Sequence, residues 1–233
     1  MACILNIETS TNVCSVALSS DSVVLFEKVS YEGQAHAALL GVYVEEALKI
    51  MKDKGLNLDA VAVSSGPGSY TGLRIGVSVA KGLCFGLGIP LISIHTLDLL
   101  TSTVIRKHPV KDSLYCAMLD ARRMEVYAAI YDAELNPVRK AGADIVTEET
   151  YATWLNQGKV CFFGNGAAKC SQVITSPNAL FIEDIDPLAI NMVALSEKAF
   201  TEKKFEDVAY FEPFYLKEFQ ATIAKNKVLG RHN

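Results

Sequence analysis

The sequence predicts an α/β protein of two related lobes, and three observations carry that reading. The first hundred residues run as strand, strand, strand, helix, strand, helix, strand. Near Ala117 an apolar strand ending in a carboxylate, a short polar turn and a returning strand begin the same pattern again. Inside the first half, the glycine-rich loop Ser64-Ser65-Gly66-Pro67-Gly68-Ser69-Tyr70-Thr71-Gly72-Leu73-Arg74-Ile75-Gly76 follows an apolar strand and enters a helix.

The elements follow in chain order from their periodicity. Cys3 to Ile7 is a largely apolar run. Val13 to Leu18 sets Cys14, Val16 and Leu18 on one face, and Val23 to Val29 follows a Ser-Ser-Asp-Ser turn, so the three make an antiparallel meander. From Gln34 to Lys54, Leu39, Leu40, Tyr43, Val44, Ala47, Leu48 and Met51 recur at helical spacing, opposite Glu45, Glu46, Lys49 and Lys52, and Gly55 ends the helix. Strand Val61–Val63, the glycine-rich loop, a helix over Thr71–Phe85 capped by Ser69 or Thr71, and strand Ile89–Ile94 form a β-α-β unit with a right-handed crossover.

In the second half, Ala117-Met118-Leu119-Asp120-Ala121-Arg122 overlays Leu5-Asn6-Ile7-Glu8-Thr9-Ser10, and Glu125–Ile130 overlays Val13–Leu18. The match is one of pattern rather than identity, and it points Glu8 and Asp120 at a common cleft. A helix over Thr147–Asn156 with Thr147 as N-cap, a strand over Val160–Phe163, the turn Gly164-Asn165-Gly166 and a helix over Leu188–Lys204 follow. The tail is aromatic, with Tyr210, Phe211, Phe214, Tyr215 and Phe219; most of these rings are expected to pack back on the body, leaving the last dozen residues frayed. No Gly-, Ser- or Pro-rich linker separates the halves, so lobes of 1–108 and 109–233 are expected to share an interface.

Composition bounds the function. The 233 residues are half apolar, enough for a substantial core, and the net charge of −4, with no run of Lys and Arg, gives no bulk attraction to nucleic acid. The N-terminus enters a strand without a basic leader, and the apolar stretch Leu83–Ile94 is broken by Gly86, Gly88 and Pro90, so a soluble cytoplasmic protein is expected. Cys3, Cys14, Cys84, Cys116, Cys161 and Cys170 form no C-x-x-C pair and read as small buried hydrophobes.

The glycine-rich loop has two readings. It could cradle a phosphate with backbone N–H groups at a helix N-terminus, although it has neither P-loop nor G-x-G-x-x-G spacing; or it is a tight strand-to-helix turn. Glu8 and Asp120 would suit Mg²⁺ and a nucleotide held between lobes, yet Thr9-Ser10-Thr11 and Ala121-Arg122-Arg123 lack the glycine that permits close approach to phosphate. His36, His95, His108 and His232 form no helical pair, so no metal site is expected. No G-x-S-x-G elbow is present, and Ser69 has no identifiable histidine partner for hydrolysis. The helix 71–85 carries only Arg74 and Lys81 as charges, with Gly72, Gly76 and Ala80 forming a small-residue ridge. Such a helix is buried on more than one side, either wholly within its own chain or partly beneath a second subunit.

Several of these pieces together resemble the TsaB (YeaZ) family of bacterial tRNA threonylcarbamoyladenosine biosynthesis proteins over nearly the whole chain. They are Ile7-Glu8-Thr9-Ser10-Thr11 with Cys14–Leu18, the loop Gly66–Gly76, Asp120-Ala121-Arg122 with Glu125-Val126-Tyr127, and Pro213-Phe214-Tyr215-Leu216-Lys217. Glu8 departs from the aspartate usual in the family. The resemblance implies an actin/sugar-kinase/Hsp70-like (ASKHA) fold of two RNase H-like lobes, the second reduced. It implies a noncatalytic, degenerate relative of the metal- and nucleotide-binding TsaD subunit, lacking TsaD's histidine pair. In the family a separate enzyme makes threonylcarbamoyl-adenylate, and TsaD transfers the threonylcarbamoyl group to N6 of adenosine 37 in tRNAs reading codons that begin with A. TsaB supports TsaD alongside the ATPase TsaE.

By that analogy the helices 34–54 and 71–85 meet TsaD or a second copy of the chain, through Leu39, Leu40, Tyr43, Gly72, Leu73, Gly76 and Ala80. No cofactor of its own is implied; ATP or ADP would sit at the complex interface, and tRNA would be reached through the complex. Candidates for residual nucleotide contact are Gly66, Gly68, Ser69, Thr71, Asp120, Arg122, Gly164 and Gly166. The rival reading is an independent phosphotransferase or M22-like glycopeptidase, which would turn over ATP or substrate unaided.

Overall fold

A computed structural model describes residues 2–33 and 35–217. Gln34, His232, Phe219 and the last dozen residues, on which the expected helix start, a tail ring and the fraying fall, lie outside the described residues.

The first sheet contains β1 (Cys3–Glu8), β2 (Cys14–Ser20), β3 (Val23–Ser30), β4 (Ala60–Gly66) and β5 (Leu91–His95), in the order β3-β2-β1-β4-β5. Its first three strands are antiparallel, while β1, β4 and β5 are parallel. The second sheet repeats this arrangement strand for strand. It holds β6 (Ser113–Asp120), β7 (Glu125–Tyr131), β8 (Pro137–Ile145), β9 (Lys159–Phe163) and β10 (Ala179–Ile182), ordered β10-β9-β6-β7-β8 with the same directions. The overlay of Leu5–Ser10 on Ala117–Arg122 is therefore a true structural correspondence: β1 ends at Glu8 and β6 at Asp120.

The lobes differ in their helices. The first has α1 (His36–Asp53) and α2 (Tyr70–Leu87), each of 18 residues, where the second, among the described residues, has α4 (Ala152–Leu155) and α5 (Ala167–Cys170), of 4 residues each, in their place. The second lobe is reduced at this point. Helix α1 buries Leu40, Val44, Ala47 and Met51 against Leu5, Val16 and Leu18 of the sheet. Full burial of such side chains stabilises by about 1.5–3 kcal/mol each, which outweighs the absence of an N-terminal side-chain cap on this helix. Gly55 ends it in the left-handed region at φ 68°. Helix α2 is capped by Ser69, whose Oγ accepts the Gly72 N–H at 3.2 Å.

Three expectations change. The helix expected over Thr147–Asn156 is helical only at Ala152–Leu155, because Thr150 Oγ1 accepts the Thr147 N–H at 2.7 Å and closes a turn first. Strands β8 and β10 were not expected. Helix α6 (Ala189–Thr201) does not complete the second lobe but packs on the first sheet, where Met192 joins Ile4, Ala62 and Ile92. Its entry is fixed by Ser15 Oγ, which accepts the Ala189 N–H at 2.9 Å. The remaining helix, α3 (Thr96–Lys107), covers both sheets, with Leu99 on the first and Leu97, Leu100 and Val104 on the second. All six cysteines are free and buried, and burial pushes the Cys3, Cys14 and Cys84 thiols up to about 11.

Candidate functional site

The corresponding turns after β1 and β6 face each other across a cleft between the lobes. In the first turn, Glu8 is fully buried and its Oε1 accepts the Ser10 N–H at 2.5 Å. Thr11 Oγ1 accepts the Val13 N–H at 3.2 Å, and Ser64 Oγ lies 3.5 Å from the Thr9 N–H. Burial pushes the Glu8 carboxyl up to about 7, against the lowering effect of the donors on Ser10, Ser64 and Thr9.

Helix α2 enters directly beneath this turn. Ser69 N–H donates to Ser10 O at 2.6 Å, and Thr9 Oγ1 donates to Gly72 O at 2.8 Å. A Cβ on Gly72 would stand 2.1 Å from Thr9 O, one on Gly76 2.2 Å from Thr9 Oγ1, and one on Gly68 2.3 Å from Ser10 O. The small residues of the loop and ridge thus serve the close approach of helix to turn. The loop makes the tight strand-to-helix junction.

In the second lobe, Asn165 Oδ1 accepts the Asp120 N–H at 2.9 Å, Asp120 Oδ1 accepts the Arg122 N–H at 3.1 Å, and Glu125 O accepts the Ala121 N–H at 3.0 Å. Lys169 pairs with Asp120 Oδ1 and donates to the carbonyls of Arg123 and Glu125 at 2.7 and 2.6 Å. A tethered ammonium therefore already neutralises the carboxylate expected to face a ligand. Arg122 and Arg123 both occupy the left-handed region, at φ 71° and 49°. That conformation costs an ordinary residue about 1–2 kcal/mol and would suit Gly or Asn better.

The cleft encloses about 450 Å³. Gly68, Ser69 and Thr71 line it from one side and Asp120 and Arg122 from the other, so five of the eight candidate contact residues come together. The other three do not: Gly66 lies under the tail, and Gly164 and Gly166 pack against the β6 backbone at Met118 and Leu119. Sequence reasoning missed that Phe214–Lys217 crosses the cleft. The Phe214 N–H donates to Ser65 O at 2.7 Å, its ring meets His95 edge-on at 5.5 Å, Tyr215 packs at a tilt against Tyr70 at 4.8 Å, and Lys217 pairs with Glu125 of the second lobe. Gly66 permits this crossing, since a Cβ there would lie 2.6 Å from Phe214 O. Among the described residues no three His, Cys, Asp or Glu side chains converge in a way that could hold a metal ion.

The outer face of α1 and α2 corrects the expected interface. Leu40, Gly72, Leu73, Gly76 and Ala80 are buried inside their own chain, and Leu39 and Tyr43 are half-buried. The ridge periodicity is real, but Gly72 and Gly76 meet Thr9 and Ala80 enters the core. The large apolar side chains that the two helices expose are Val42, at 48 %, Phe85, at 85 %, and Leu87, at 55 %, and beside them an added Cβ on Gly41, Gly82 or Gly86 would meet nothing within 4 Å.

The family model of TsaD, tRNA N6-adenosine threonylcarbamoyltransferase, matches residues 30–225. The tRNA threonylcarbamoyladenosine biosynthesis protein TsaB of Escherichia coli K12 is 30 % identical, over 98 % of this chain and 99 % of that protein. Its Bacillus subtilis counterpart is 31 % identical over 94 % and 95 %. The chain belongs to the TsaB (YeaZ) family. The YeaZ structure from Pseudomonas aeruginosa superposes with a TM-score of 0.77 at 25 % identity, covering 93 % of this chain and all (100 %) of that one. The doubled sheet with its reduced second lobe is thus the ASKHA-like two-lobe fold of a TsaB-family chain.

Proposed function

We propose that this chain is a noncatalytic partner subunit in the formation of N6-threonylcarbamoyladenosine at position 37 of tRNAs that read codons beginning with A, acting in the cytoplasm with a TsaD-type subunit and a TsaE-type ATPase. Its curated relatives are named for tRNA threonylcarbamoyladenosine biosynthesis. The observation that supports a supporting role over an enzymatic one is the state of the two cleft turns. A phosphate cradle needs backbone N–H groups free to point at the anion. Here those of Ser10, Val13, Ala121 and Arg122 are bonded within the turns, that of Asp120 to the Asn165 side chain, and Lys169 sits on Asp120. The residues present do not fit a nucleotide polyphosphate, so no cofactor of its own is assigned, and ATP or ADP belongs to the assembled complex.

The outer face of α1 and α2 is the surface offered to the TsaD-type partner, or to a second copy of the chain in isolation. No helix among the described residues is long and apolar enough to cross a membrane.

The test is threonylcarbamoylation of tRNA in vitro with purified TsaC-, TsaD- and TsaE-type proteins, with and without this chain. Modified nucleoside is expected only when the chain is present, and the chain alone is expected to hydrolyse no ATP. Modification that proceeds equally well without it, or ATP or peptide turnover by the chain alone that is lost in Asp120→Ala, would return the phosphotransferase or peptidase reading.

A further inference from the structure

We infer that the rim of the interlobe cleft contacts single-stranded RNA directly, by stacking bases on tyrosine rings and pairing phosphodiesters with arginine side chains. The inference rests on the reading of the chain as a component of tRNA modification, and it goes beyond reaching tRNA only through partners.

The fold gathers at this rim residues that the sequence scatters. Tyr70 and Tyr215 lie with ring centroids 4.8 Å apart, tilted by 37°, and the Arg74 guanidinium lies 4.8 Å over the Tyr70 ring. Tyr127 and Arg122 line the same cleft, with Arg123 next in the turn. Charges here are unevenly matched. Asp120 is taken by Lys169 and Glu125 by Lys217, and Glu212 acts on Tyr215 from the tail. Arg122 and Arg123 are exposed, and neither guanidinium enters an ion pair among the described residues.

Two further observations select the ligand. The arginines sit at successive left-handed positions where glycine would be easier, so their side chains are kept at a conformational cost. The backbone N–H groups of Ser10, Val13, Asp120, Ala121 and Arg122 are already bonded, which leaves a terminal phosphate a poor cradle, whereas long guanidinium side chains can reach the diesters of a strand passing outside. Aromatic faces interleaved with cations suit unstacked bases on a phosphate backbone.

The experiment titrates a fluorescein-labelled, unmodified tRNA transcript with the full chain across a salt series, followed by anisotropy, with ATP as competitor. Salt-sensitive binding is expected. Replacing both arginines, Arg122→Gly with Arg123→Gly, is expected to preserve or raise the melting temperature while weakening binding about tenfold and lowering the salt slope by about 1.4, near 0.7 for each lost single-strand phosphate contact. Arg74→Gln, at an exposed helix position, is expected to weaken binding about threefold. Absence of tRNA binding by the full chain, an unchanged affinity in the folded glycine variant, or displacement of tRNA by an equimolar amount of ATP would each overturn the inference. Chain-dependent modification with unaltered tRNA affinity in the variants removes the rim and leaves the partner role standing. Rim-dependent tRNA binding without chain-dependent modification does the reverse.

Discussion

Glu8 turns its carboxylate back on its own chain: Oε1 accepts the backbone N–H of Ser10, two residues on, at 2.5 Å, while Oε2 is buried without a hydrogen-bond partner. A carboxyl so placed holds its proton to about pH 7, against 4.5 when unhindered. Between those values the folded chain carries a proton that the unfolded chain has released. Stability from this group is therefore full below about pH 4.5 and declines as the pH rises to about 7, by a total on the order of 3 kcal/mol. Urea midpoints at pH 5 and pH 8 should differ in the natural chain and converge in Glu8→Gln. The same pH dependence in both would mean that Glu8 is charged when folded.

Two glycines of one helix should respond oppositely to alanine. At Gly72 the added methyl would meet Thr9 O at 2.1 Å, so Gly72→Ala must push α2 off the turn and is expected to cost about 2–4 kcal/mol in urea unfolding. Gly82 faces open space, and Gly82→Ala should gain about 0.5–1 kcal/mol from helix propensity. Similar behaviour of the two variants would contradict the seating of α2 on Thr9.

This pair also marks how far the sequence could be read. The spacing of Gly72, Gly76 and Ala80 establishes a common helix face, but periodicity alone does not distinguish a face meeting its own chain from one meeting another. The strand-turn-strand repeat was legible because Glu8 and Asp120 end apolar runs of matching length. Strand β8 was not, since Pro137–Ile145 is mostly exposed and carries no alternation, and β10 spans only Ala179–Ile182. The rim needs Arg74, Arg122 and Tyr215 together, and their proximity exists only after folding.

Lys169 should act as the pin of the second turn. Lys169→Met removes one ion pair and two bonds to carbonyls at the partly exposed Asp120 turn, and a loss of about 1–2 kcal/mol is expected. A double-mutant cycle with Asp120→Asn isolates the ion pair, whose coupling should be near 1 kcal/mol or below. Additive effects would assign the stabilisation to the carbonyl contacts alone.

Association should depend on the exposed helix face. Val42→Glu and Phe85→Glu alter side chains outside the core, so melting temperature should barely change while self-association and capture of a TsaD-type partner fall at least tenfold. Light scattering after size exclusion measures the first and a pull-down the second. Undiminished association in both variants would move the interface elsewhere.

The seating of α6 on the first sheet bears on how the chain is born. During synthesis the sheet face formed by Ile4, Ala62 and Ile92 is complete early, yet the helix carrying Met192 emerges only near the end. For most of translation that apolar face is covered only in part, by Leu99 of α3, and the rest is exposed to aggregation and makes a place for a chaperone to bind. Expressed alone, residues 1–108 should be poorly soluble, whereas supplying the 189–201 helix in trans should restore a folded lobe.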